Sequence, residues 1–292
     1  VPENLSENAY MTVFVWNSTL KPYAKSKQMK FSTTKEKATL HLVADSIGVT
    51  YNTDTVDINA GNGRYPQQGM GNYLQGIFKS DTITVKNYSV GGSTTLDYLN
   101  NTYDLNQTWK TNCWNYVMES ITPGDYVMIV LGINDGGKLT ENEFKTNLIK
   151  MIKDAKSAGA NVIVGSSTFT AWGVTDKTFT SNSGNYYSLA IQAAKENNVP
   201  CIDLHTAMQN DLKELCSDSS KTYKDALNEY YLTAELFAEE DPDGTRYYKN
   251  PSVTKSGYDV THLSYKGAKR LCEVIIKNLL KQSSSTLKTY LK

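Results

Sequence analysis

Four separated pieces of the chain carry the residue types of nucleophilic acyl chemistry. Ala44-Asp45-Ser46 ends the strand-like run Thr39-Leu40-His41-Leu42-Val43, and Tyr258-Asp259-Val260-Thr261-His262 sets an acid three residues ahead of a histidine. Between them, Val90-Gly91-Gly92-Ser93 and Leu131-Gly132-Ile133-Asn134-Asp135-Gly136-Gly137 each follow an apolar run of their own. A serine hydroxyl is a poor nucleophile until a base takes its proton, and the imidazolium then formed needs a carboxylate to orient and stabilise it. A developing oxyanion needs backbone N–H groups or a side-chain amide. Ser46, Gly92, Asn134, Asp259 and His262 supply these parts in the order nucleophile, amide donors, acid, base.

Each piece alone has a plain structural reading. Ser46 after a strand caps a helix; Asn134-Asp135-Gly136-Gly137 is a turn and Gly91-Gly92 a tight bend. Asp259 and His262 say more, because their spacing lets the carboxylate reach the imidazole across one turn and fix its tautomer. The conjunction at the ends of successive strands favours catalysis.

Those strands are legible as short, Val- and Ile-rich runs bounded by Gly, Pro, Asp or Asn: residues 39–43, 82–86, 126–131, 161–165 and 201–204. Helices are expected over 141–158, stopped by Gly159, over 185–198 and 206–215, and after a cap at Ser264, with Ala268, Leu271, Cys272, Ile275, Ile276 and Leu279 on one face. Alternating units of this length predict an α/β fold, a three-layer α/β/α sandwich with a central parallel sheet. Ligands of such sheets bind beyond the carboxyl ends of the strands, where Ser46, Gly92 and Asn134 all emerge. His262 arrives from the loop before the last helix.

Residues 1–36 read as a β-like extension, with a strand over Tyr10–Trp16 and a Lys21-Pro22-Tyr23 turn; residues 37–292 read as the catalytic domain. The extension resembles the closing strand of small β-sandwich modules of secreted polysaccharide-degrading enzymes. On that resemblance the chain is expected to be cut from a longer modular extracellular protein, and Val1 in place of an initiator Met is expected to reflect processing or cutting. Residues 218–258 are expected to form a lid or cleft wall near His262, with a helix over 223–239.

Among 292 residues, 39% are apolar, enough for a sizeable core, and Lys+Arg 30 balances Asp+Glu 30. A nucleic-acid footprint or a polybasic membrane patch has no support in that balance, and no apolar stretch approaches the ~20 residues of a membrane span. Twenty tyrosines suit sugar-facing surfaces as well as amphipathic packing. Cys113, Cys201, Cys216 and Cys272 lack zinc spacing; Cys272 falls on the buried stripe of the last helix, and Cys201 with Cys216 is a candidate disulfide.

Residues 37–281 resemble the SGNH (GDSL-like) hydrolases, which have a flavodoxin-like sheet, and within them the rhamnogalacturonan acetylesterase-like carbohydrate esterases. The resemblance rests on Tyr65-Pro66-Gln67-Gln68-Gly69-Met70-Gly71, Val85 to Ser93, Pro123-Gly124-Asp125-Tyr126-Val127 running into Gly132 to Gly137, and Asp259 to Ala268. It implies Ser46 as nucleophile, His262 as base then acid, Asp259 as its partner, and an oxyanion hole from the Ser46 and Gly92 N–H groups and the Asn134 amide. It also implies an acetylated plant cell-wall polysaccharide or oligosaccharide as substrate, an extracellular setting and no cofactor or metal. Three positions depart from the pattern. Ala44 stands where the family has Gly and is tolerable only at negative φ; Ser93 stands in place of a common Arg, which weakens the case for an acidic galacturonate substrate; Met70 stands in place of Trp. Three rival readings remain: a lipid or thioester hydrolase of the same fold, a catalytically inactive carbohydrate-binding domain, and a metal-dependent phosphoesterase using Asp45, Asp135, Asp259 and His262.

Overall fold

The computed structural model describes residues 10–13, 27–30, 37–51, 65–100, 114–172, 184–217, 220, 222–244 and 250–292. The Lys21-Pro22-Tyr23 turn, Phe14 to Trp16 and Cys113 lie outside the described residues. The chain divides into two units, Val1–Ala38 and Thr39–Lys292. In the first, β1 (Tyr10–Val13) pairs antiparallel with β2 (Lys27–Lys30), Tyr10 opposite Lys30.

Strands β3 (Ala38–Ala44), β4 (Ile83–Asn87), β5 (Tyr126–Val130), β6 (Asn161–Gly165) and β7 (Cys201–Ile202) form one parallel sheet in the order β4-β3-β5-β6-β7. Side chains alternate between the two faces of a strand. Val43, Val127, Ile129, Val162 and Val164 accordingly enter one apolar core with Tyr98, Trp114, Phe144, Leu148, Met151 and Ala190. These belong to α2 (Thr95–Asn100), α3 (Trp114–Glu119), α4 (Glu141–Ser157) and α5 (Tyr186–Glu196), which come after the four-residue α1 (Met70–Tyr73). Leu40, Leu42, Met128 and Ile163, at the alternate positions, face the other way and are just as buried. A sheet covered on both faces explains why its strands read as near-continuous apolar runs. The expected three-layer architecture is the one observed.

The order also fixes where the site lies. From β3 the chain runs to β4 on one side and then to β5 on the other, so the crevice beyond the carboxyl end of β3 is the point where the winding reverses. The loops after β3, β4 and β5 all open there.

Four expectations need correction. Strand β7 ends at Ile202, and Leu204 instead opens α6 (Leu204–Ser217). That helix also separates Cys201 from Cys216, which form no disulfide with each other; its length of roughly 20 Å exceeds what a disulfide can span. The helix expected over 223–239 is two helices, α7 (Tyr223–Tyr230) and α8 (Ala234–Glu240), parted by β8 (Tyr231–Thr233). Strand β8 pairs antiparallel with β9 (Tyr258–Leu263) in a separate ribbon, and Thr233 then caps α8 by accepting the Leu236 N–H at 3.1 Å.

After α9 (Pro251–Ser256) and β9, Ser264 caps α10 (Tyr265–Arg270) as expected, accepting the Gly267 N–H at 3.2 Å. The helix passes through a π-helical stretch, Leu271–Ile276, into α11 (Lys277–Gln282). The buried stripe ends on Leu280, four residues after Ile276, not on the expected Leu279.

Candidate active site

Ser46 lies in the turn directly after β3 and caps no helix, since Ile47 and Gly48 continue the turn. Ala44, the last strand residue, keeps a negative φ, so alanine fits there without strain. Beneath Ser46, the Tyr98 hydroxyl lies 2.9 Å from the Ala44 carbonyl and 2.7 Å from that of Tyr88, tying the ends of β3 and β4 to α2. The Tyr51 hydroxyl donates to the Ser46 carbonyl at 3.1 Å. The serine is thus held by its backbone, and the residue as a whole is only 8% exposed.

The imidazole reaches it from the ribbon. Tyr231 pairs with Leu263 but Leu232 with Asp259, so Val260, Thr261 and His262 bulge out of β9. Bulges of this kind re-aim side chains beside active sites. Asp259 Oδ1 accepts the N–H groups of Thr261 at 2.8 Å and His262 at 2.9 Å, so the carboxylate itself shapes the bulge. Its Oδ2 lies 2.9 Å from His262 Nδ1, and His262 Nε2 lies 3.1 Å from Ser46 Oγ. The spacing of Asp259 and His262 therefore works on a bulged strand, where the sequence suggested a turn.

Asn250, which no catalytic motif of the sequence singled out, completes the acid's surroundings. Its amide donates to Asp259 Oδ2, while its own Oδ1 accepts the Ser252 N–H at 2.8 Å and caps α9. Burial pushes the Asp259 carboxyl up, but the hydrogen bonds and charge of His262, with the N–H groups of His262 and Thr261, outweigh it and hold the carboxyl below its usual range. An ionised Asp259 fixes the tautomer with Nδ1–H toward the acid and the Nε2 lone pair toward Ser46.

The glycine loop borders the serine: a Cβ built on Gly91 would stand 3.9 Å from Ser46 Cβ. Gly92 has φ +76°, a left-handed conformation that favours glycine. Among the described residues, neither the Ser46 N–H nor the Gly92 N–H donates to a protein acceptor. Asn134 Nδ2 donates to the Ser93 carbonyl at 3.2 Å and Lys138 Nζ to the Gly92 carbonyl at 2.9 Å, so the loop after β5 clamps the loop after β4. The Thr95 N–H and hydroxyl donate to Asp135 Oδ1 at 2.9 and 2.6 Å, adding a second tie.

Ser46, His262 and Asp259 thus form one hydrogen-bonded line, and the loop that carries Gly92, clamped by Asn134, borders Ser46. Of the departures, Ser93 is buried and turns its hydroxyl to the Val90 carbonyl at 2.7 Å, while Met70 is buried at the start of α1. Neither is exposed toward a ligand. Among the described residues no three His, Cys, Asp or Glu side chains group as the metal reading would require, and Asp135 is engaged by Thr95 and Asp259 by His262. Asp45 is fully buried, accepts the Ile47 N–H at 3.0 Å, and is pushed up to about 7, by burial first and then by Asp135.

Residues 45–269, which include all five expected residues, match the profile of the family described as GDSL-like Lipase/Acylhydrolase. The protein named Uncharacterized esterase YxiM, from Bacillus subtilis (strain 168), is 31% identical over 143 residues, 48% of this chain and 35% of that protein. The match thus spans about a third of that relative's length. The crystal structure of the B. subtilis YxiM protein shares the fold, with a TM-score of 0.61 at 22% identity over 88% of this chain and 60% of that one. A catalytic mutant of Axe2, an acetylxylan esterase from Geobacillus stearothermophilus, is similar with a TM-score of 0.49 at 17% identity, over 84% of this chain and 96% of that one.

Proposed function

We propose that this chain, which belongs to the GDSL-like lipase/acylhydrolase family, is an extracellular carbohydrate O-acetylesterase acting on plant cell-wall polysaccharide of the pectin, rhamnogalacturonan or hemicellulose type. The observation that carries the esterase reading is the line from Ser46 Oγ through His262, 3.1 Å away, to Asp259, 2.9 Å beyond. The sugar reading draws on the four sequence blocks shared with carbohydrate esterases. A small acyl group suits a serine hemmed by Gly91 and only 8% exposed.

His262 Nε2 takes the Ser46 proton as Oγ attacks the acetyl carbonyl, and Asp259 stabilises the imidazolium. The tetrahedral oxyanion is received by the Ser46 and Gly92 N–H groups and the second amide hydrogen of Asn134. His262 then returns the proton to the departing sugar oxygen, leaving Ser46 acetylated. Water repeats the cycle, with His262 again as base, and acetate leaves last.

Acetate release from acetylated pectin, rhamnogalacturonan, xylan and mannan, with 4-nitrophenyl esters of rising chain length alongside, tests this reading. Acetyl esters should be fastest, at least one polysaccharide should yield acetate, and Ser46→Ala should abolish both. Preference for long acyl chains would make it a lipid hydrolase instead. Unchanged turnover in Ser46→Ala would end the covalent mechanism.

A further inference from the structure

Beside the catalytic bulge stands one large aromatic side chain that the mechanism does not use. Trp172 is 57% exposed, the most exposed large hydrophobic residue among those described. Its indole Nε1–H donates to Thr261 Oγ1 at 2.7 Å, and Thr261 is the residue before His262 in the bulge.

The support under this ring is rigid. Phe169, Thr170 and Ala171 are buried, the Ala171 N–H donates to the Val260 carbonyl at 2.9 Å, and the Tyr231 hydroxyl donates to the Phe169 carbonyl at 2.6 Å. A buried loop clamped at both strands of the ribbon thus ends in an exposed indole whose orientation is fixed by its own N–H. Exposing so much apolar ring costs hydrophobic free energy, which a ligand covering the ring would recover. Among the described residues the ring's hydrogen-bond partner is a threonine, Thr261, whereas a protein or lipid contact calls for a contiguous apolar patch of a few hundred Å². A flat partner, apolar on its faces and polar at its rim, fits better.

We propose that Trp172 is a stacking platform for a pyranose ring of an oligosaccharide, holding a glycosyl unit next to the one whose ester Ser46 attacks. The inference rests on the carbohydrate reading above. One C–H face of the sugar packs on the indole while its hydroxyls stay in water or reach Thr261. The platform selects sugar chains over small acetyl esters without entering the chemical step. Because it is preorganised, stacking orders few side chains and little of its free energy is lost.

The test compares wild type, Trp172→Ala, Trp172→Phe and Tyr116→Ala on 4-nitrophenyl acetate and on partly O-acetylated xylotetraose, mannotetraose and rhamnogalacturonan tetramers. Tyr116 controls for loss of an exposed aromatic elsewhere, on α3. Trp172→Ala should leave 4-nitrophenyl acetate turnover unchanged and lower kcat/KM on the best tetramer by about tenfold or more, mainly through KM. Trp172→Phe should recover most of that loss, and Tyr116→Ala should match wild type. Wild-type kinetics of Trp172→Ala on the tetramer would overturn the platform and leave the esterase reading standing. Equal losses on both substrates would overturn it too, making Trp172 a support for Thr261 and His262. Wild type active on 4-nitrophenyl acetate but inert on every tetramer would overturn the carbohydrate reading and the platform with it.

Discussion

Asn134 has two amide hydrogens, and one is committed to the Ser93 carbonyl at 3.2 Å. In the proposed mechanism the other meets the oxyanion, so Asn134→Ala removes a transition-state donor and also slackens the glycine loop. A single such donor is worth on the order of 3 kcal/mol. Steady-state kinetics on 4-nitrophenyl acetate should show kcat lower by about a hundredfold; turnover within twofold of wild type would remove Asn134 from the mechanism. Asp45 offers a second test, read in stability. Its carboxyl rises from 3.8 to about 7, so the folded state keeps a proton that the unfolded chain releases. A native state that binds more protons loses stability as pH rises, here between 3.8 and about 7. Asp45→Asn cannot ionise and escapes that loss. Urea unfolding of both proteins across this range should show the variant gaining on wild type as pH increases, whereas parallel curves would contradict a neutral, buried Asp45.

At the level of elements, the ribbon is where sequence and structure part. Strands β3, β5 and β6 were legible because a parallel sheet buried on both faces writes itself as apolar runs, whereas the edge strand β4, Ile83-Thr84-Val85-Lys86-Asn87 with only Ile83 buried, was legible from its β-branched residues; Ser46 and Asn134 follow two of those apolar runs and Gly92 follows β4. Strand β8 is three residues long, too short to show a period of two, and it lies inside a stretch whose apolar residues also satisfy a helix. Trp172 lacked a pattern, whereas Asn250 before Pro251 carries the signature of a helix cap with proline at the first position, a signal that marks a cap and not a partner for Asp259. Gly267 on α10 shows how tightly the ribbon is mounted: a Cβ there would stand 2.1 Å from the Tyr230 carbonyl oxygen. Backbone cannot swing aside as a side chain can, so Gly267→Ala must push α10 from the α7–β8 junction, at a cost of about 1–3 kcal/mol. Thermal unfolding should record a lower Tm and kinetics a lower kcat; a variant with wild-type Tm would show that the two backbones part freely.

On the scale of the whole molecule, Thr39–Lys292 contains all five site residues, Trp172 and both layers of core around the sheet. A protein limited to residues 37–292 should therefore fold cooperatively and keep the kcat of the full chain on 4-nitrophenyl acetate. Loss of either property on deletion of residues 1–36 would mean that the first unit contributes to the second. Ion pairing acts within the same body: Arg270 grips Asp211 with Nε at 2.6 Å and a second nitrogen at 2.8 Å, joining α10 to α6. Burial raises the Asp211 carboxyl, but Arg270 and the Tyr230 hydroxyl outweigh it and hold it low. That contribution is present at neutral pH and is lost as pH falls, the reverse of Asp45. The bulge in β9 has one more implication. In the proposed mechanism the base His262 and its acid Asp259 ride on a two-stranded ribbon while Ser46 and the amide donors follow strands of the main sheet, so the reactive line crosses a seam between two mountings. On that mechanism, displacing the ribbon would disarm the protein with the main sheet intact, and reseating it would re-arm the same molecule.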